Sequence, residues 1–97
     1  MKYLSLIFVL TLSLFAKNEG PVLYSSCKFC HGYNAERVYM DLIPNLKEAS
    51  ASEIEAKLRL YKKGSLDLYG YGSIMKMQMK NIPDEKISEL ASYIEKL

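Results

Sequence analysis

Apolar positions along this chain form one solid block and then three periodic stripes. The block runs from Tyr3 to Phe15 without a charge. It is shorter than the roughly 20 residues that a bilayer-spanning helix needs. Gly20, Tyr24 and Cys27 then recur at helical spacing, which predicts a first helix from about Pro21 to His31. Pro21 suits the first turn of such a helix and Gly32 its end. Residues 33–49 show no period and read as loop, with Pro44-Asn45-Leu46 as a rigid point inside it. Ile54, Leu58 and Tyr61 predict a helix over 53–63, opened by a capping box at Ser52-Glu53-Ile54-Glu55 and stopped by Gly64. Leu66 to Gly72 is too rich in glycine for a stable strand. Residues 73–82 read as a flexible segment. Ile87, Leu90, Ala91 and Ile94, with Tyr93 beside them, predict a last helix beginning near Pro83 or Asp84. Asp84 and Glu85 suit its positive end and Lys96 its negative end. The predicted fold class is all-α: small, loop-rich, with three to four helices.

Composition changes this picture only at the start. Met1 and Lys2 precede the apolar block, and Ala16 follows it just before charge begins at Lys17. That arrangement predicts a secretory signal peptide over residues 1–16 and a mature domain over 17–97. The competing reading is an uncleaved membrane anchor, disfavoured by the shortness of the block. No Cys follows the block to carry a lipid. Cleavage leaves about 81 residues, with twelve basic against eleven acidic and a net charge of +1. Such a balance carries no signature of nucleic-acid binding. A chain of this length buries only a modest core and gains from an added staple.

The chemistry concentrates in Cys27-Lys28-Phe29-Cys30-His31, which holds both cysteines and the only histidine. A CxxC pair alone fits a redox disulfide, half a zinc site or a haem anchor. CxxCH is the pattern of covalent haem attachment. Two thiols add across the two vinyl groups of the porphyrin, and the next residue offers an imidazole to the iron. On a helical turn the three residues share one face at i, i+3 and i+4. A structural zinc site needs four ligands, and there is no second cluster. A disulfide here would close a very short loop, gain little loop entropy and leave His31 unexplained.

A soft thioether is the other usual ligand to such an iron. Beyond the apolar block the methionines are Met40, Met75, Met77 and Met79. Any of them could simply fill a gap in the core. Three alternating methionines beyond a glycine-rich loop point instead to a ligand segment.

Gly20, Tyr24, Cys27, Cys30, His31, Gly32, Pro44, Leu46, Met75, Leu90 and Tyr93 together resemble the class I cytochromes c. The likeness spans essentially the whole mature chain and is nearest to the small single-haem periplasmic type of bacteria. It implies a small cytochrome c fold wrapped around one covalent haem c. It implies that Gly20 and Tyr24 of the first helix meet Leu90 and Tyr93 of the last. It implies that the Pro44 carbonyl accepts a hydrogen bond from the His31 ring, which would fix the imidazole. In the family the ligand methionine lies about nine residues before an acidic pair, which here selects Met75 ahead of Met79 and Met77. Two departures stand out: Lys76 replaces a proline that often follows the methionine, and Pro83 replaces a helix-capping Ser or Thr. The first is expected to loosen the ligand segment.

An iron with six strong ligands has no open position for substrate, so the resemblance implies outer-sphere transfer of single electrons and no enzymatic reaction. It implies a periplasmic monomer serving redox partner proteins, such as a quinol-oxidising complex and a terminal oxidase or peroxidase. No nucleic acid or small-molecule substrate is expected, and contact with the membrane only if the signal peptide is retained. Two alternatives stay open: a haem subunit tethered to a membrane or enzyme complex, and a haem-based ligand sensor with a displaceable methionine.

Overall fold

The computed structural model describes residues 19–97, so the proposed signal peptide lies outside the described residues. Those residues form five α-helices and a 3-10 turn, and no strands beyond an isolated bridge between Tyr39 and Ile43. The fold is all-α, as the sequence predicts.

The first predicted helix is present but broken. Gly20–Leu23 (α1) and Lys28–His31 (α2) are separate helical turns joined through residues 24–27. The Ser25 hydroxyl donates to the Val22 carbonyl at 2.7 Å, competing for the backbone acceptor that a continuous helix would use. The break leaves the heptad face intact. Gly20 and Tyr24 are buried, and Cys27 packs against the core.

Helix α3 spans Ala51–Lys63, two residues longer at its start than predicted. The cap is Ser50 rather than Ser52. Its Oγ accepts from the Glu53 amide at 3.2 Å and donates to the Glu53 carboxylate at 3.1 Å, a cap built from Ser and Glu two residues upstream of the predicted one. The extra turn is supported across the fold, where the Glu95 carboxylate accepts the Ala51 amide at 2.7 Å. Gly64 ends the helix in the left-handed conformation.

Residues 73–82 are not the flexible segment the sequence suggests. Gly72–Met79 forms helix α4. Met, Lys, Gln and Ile propagate a helix well once a nucleus exists, and the Asp67 side chain accepts the Gly72 amide at 3.1 Å to start it. Asp84–Lys86 then makes the 3-10 turn, with Pro83 before it, and Ile87–Glu95 forms α5. The acidic residues sit at the start of this last unit as predicted.

Helix α5 is the centre of the core. Ile87, Leu90, Ala91 and Ile94 are all buried, and α5 packs on α1 and α3. Complete burial of a Leu or Ile side chain contributes about 1.5–3 kcal/mol, and this stripe supplies four of the ten buried core residues among those described. Gly20 permits the closest approach. A Cβ there would lie 2.5 Å from Tyr93 Cδ1 and 2.9 Å from Tyr93 Cβ. The Tyr24 and Tyr93 rings tilt against each other with centroids 6.0 Å apart. The meeting of Gly20 and Tyr24 with the last helix is therefore present.

Candidate functional site

Beside helix α3 lies a mostly apolar cleft of about 150 Å³, partly open to solvent. Helix α3 supplies Ile54, Leu58 and Tyr61 to one wall, the 43–46 loop supplies Pro44 to another, and α4 supplies Met75. His31 at the end of α2 also faces it.

The three methionines that alternate in sequence are separated by the helix. Met75 is half-buried and lines the cleft. Met79, one turn on, is 1% exposed in the core. Met77 falls on the opposite face and is 69% exposed. The structure thus brings Met75 to the same cleft as His31 and takes Met77 and Met79 elsewhere. Met40 is also exposed.

Cys27 and Cys30 are half-buried free thiols, one helical turn apart around α2. Burial pushes the Cys27 thiol above its usual pKa, opposed by a hydrogen bond from Ser26. Burial also pushes the His31 imidazole below its usual value. That favours neutral imidazole, the form that binds a metal. His31 Nδ1 is the one buried side-chain polar atom among the described residues without a hydrogen-bond partner, an arrangement that native folds avoid unless the site has a use. Pro44 lines the cleft but makes no hydrogen bond to that nitrogen here. Tyr24 closes the motif from below: its hydroxyl donates to the Gly32 carbonyl at 2.7 Å, and burial pushes its pKa up to about 12.

An apolar cleft with a buried, unpartnered imidazole on one side, a thioether on another and two thiols on the adjoining turn fits a haem. Among the described residues no cluster of three or more His, Cys, Asp or Glu is placed to hold a metal ion.

Comparison with known proteins agrees. Residues 18–97 match the family model described as cytochrome c. The chain belongs to the cytochrome c family. It is similar to cytochrome c-553 of Nitratidesulfovibrio vulgaris (strain DSM 19637 / Miyazaki F), with 34% identity over 83 residues, covering 81% of this chain and 76% of the relative. As a cytochrome c it is a haem-based electron carrier, and the Cys27-to-His31 motif is consistent with covalent attachment of haem c.

Two features of this cytochrome c were not read from the sequence. One is that the methionine segment is a helix, which the period of four between Met75 and Met79 could have signalled. The other is a clasp beyond that helix: Lys62 Nζ donates to the Ile82 carbonyl and to Asp84 Oδ1, the latter at 2.8 Å. Arg59 adds a 3.3 Å hydrogen bond to the Asp84 carbonyl. The segment is anchored at its start by Asp67, by buried Met79, and at its far end by this clasp. Lys76 itself lies over Gly64, at the end of α3.

Proposed function

We propose that this chain is an exported, periplasmic shuttle for single electrons, with residues 1–16 removed as a signal peptide and residues 17–97 forming the carrier. One haem c would be held by thioethers from Cys27 and Cys30, and His31 and Met75 would bind its iron. The observation that carries the ligand assignment is that Met75 alone of the three clustered methionines shares the cleft with His31.

A bound haem supplies a one-electron iron couple, and Met/His ligation places its potential high. The protein's own groups do the rest. Burial keeps His31 neutral and available as a donor. Pro44 lines the same cleft, and its carbonyl is assigned as the acceptor that would take the Nδ1 proton and fix the ring. The aliphatic and aromatic side chains of the lining make the cleft's walls mostly apolar, which favours the less charged ferrous state. With His31 and Met75 both bound to the iron, no position would remain for a substrate, which supports a carrier rather than an enzyme. Its donors and acceptors are redox proteins, of which a quinol-oxidising complex and a terminal oxidase or peroxidase are the proposed pair, and it acts as a monomer.

Extraction of the purified protein with acid-acetone tests attachment, and its ferric spectrum tests ligation. Haem should stay on the polypeptide. Met75→Ala should abolish the weak sulfur-to-iron charge-transfer band and lower the potential. Complete extraction of haem would overturn the reading.

A further inference from the structure

The cleft has one charged side chain in its lining. Apart from His31, which the proposed function assigns to the iron, its other residues are aliphatic, aromatic or neutral polar. The exception is Lys57 on α3, exposed at the cleft and on the same helical face as Ile54, Leu58 and Tyr61. Its neighbours on the helix are paired: Arg59 with Glu55 at 3.0 Å and Lys62 with Asp84 at 2.8 Å. Lys57 is not. Among the described residues no carboxylate lies within salt-bridge distance of it. Glu53, one turn earlier on α3 and the obvious partner, is engaged with its cap Ser50 instead. An unpaired cation beside an apolar cleft suits an occupant that brings its own negative charge. Haem brings two propionate carboxylates.

We propose that Lys57 is the counter-charge to a haem propionate and that it raises the reduction potential by doing so. The inference rests on the haem reading above. Ferric haem carries one more positive charge than ferrous haem, so a nearby ammonium disfavours the ferric state. The ion pair is exposed, so its contribution to stability is small; its effect falls on the redox equilibrium.

The experiment compares Lys57→Gln, Lys57→Arg and Lys63→Gln in the haem-loaded protein by potentiometric titration at low and high salt. Lys63 is an exposed lysine on the same helix that does not line the cleft, and it controls for net charge. Lys57→Gln should shift the equilibrium toward ferric haem on the order of threefold, the shift shrinking in high salt as screening grows. Lys57→Arg should restore the wild-type potential, and Lys63→Gln should change it much less. Acid-acetone extraction of the same samples separates the two layers of the argument. Haem lost from the wild type overturns both the haem reading and the Lys57 assignment. Haem retained, with Lys57→Gln and Lys63→Gln giving equal shifts, overturns the Lys57 assignment alone.

Discussion

Lys62 on α3 and Asp84 at the start of the last helical unit meet at 2.8 Å, joining two parts of the chain that bracket the Met75 helix. The hydrogen bond from Lys62, and then its charge, hold the Asp84 carboxyl below its ordinary pKa of 3.8. A depressed carboxyl stabilises the fold above its unfolded pKa and loses that contribution as pH falls through the folded one. Asp84→Asn should therefore melt below the wild type at pH 7, with the difference closing as pH drops below about 4. Thermal melts at pH 7 and pH 3 check this. A gap that persists undiminished at pH 3 would show that the carboxylate charge is not what holds the clasp.

The clasp also bears on the ligand. Lys62→Met removes the donor to both the Ile82 carbonyl and Asp84 while keeping the aliphatic stem. It should let exogenous imidazole displace the methionine faster, measured by loss of the charge-transfer band in stopped flow. Unchanged displacement would mean that Asp67 and Met79 hold α4 without help.

The methionines should separate by experiment as they do in space. Met79→Ala opens a cavity in the core and should cost about 2–5 kcal/mol in denaturant unfolding, with the charge-transfer band retained in folded molecules. Met77→Ala, at an exposed position, should change stability by less than about 0.5 kcal/mol and leave the spectrum alone. A band lost in Met79→Ala but kept in Met75→Ala would reverse the assignment.

Gly20→Ala tests the close contact between the first and last helices. The new methyl would meet Tyr93 at its Cβ as well as its ring, so the side chain cannot simply swing aside. Overpacking of this kind costs about 1–3 kcal/mol, and Tyr93→Leu in the same chain should recover part of it. Chemical denaturation of the two single variants and the double variant gives the coupling directly.

Charge reversal should distinguish two lysines that look alike in sequence. Lys28 stands within the attachment motif, its ammonium 6.0 Å from the Phe29 ring centre and 5.2 Å from that of Tyr33, beside two strongly exposed aromatics. Lys28→Glu should slow association with an acidic-faced redox partner, and rising salt should narrow the gap to wild type. Lys76 lies against the carboxyl end of α3, where a cation is favoured. Lys76→Glu should act there on stability. Stopped-flow electron transfer and thermal melts on both variants check the division.

What was readable in the sequence followed the strength of its local signals. The α5 stripe has an unbroken period and acidic residues at its start, so its place and its buried face were both legible. The cap of α3 slipped by two residues because Ser50 and Ser52 both precede Glu53, and only the distant Glu95 selects the earlier start. Helix α4 was missed because Gly70 and Gly72 suggest continuing loop, while the bond that starts the helix comes from Asp67, five residues back. The motif residues Cys27, Cys30 and His31 were legible because they are contiguous. Lys57 was not, since nothing local distinguishes it from other lysines on α3; its isolation appears only when the cleft and the ion pairs are seen together.

The contact of Gly20 with Tyr93 also ties the two ends of the domain together. The first helix finds the surface it packs on only in the last one, so a chain cut short before Ile87 would leave Gly20 and Tyr24 without the neighbours that bury them.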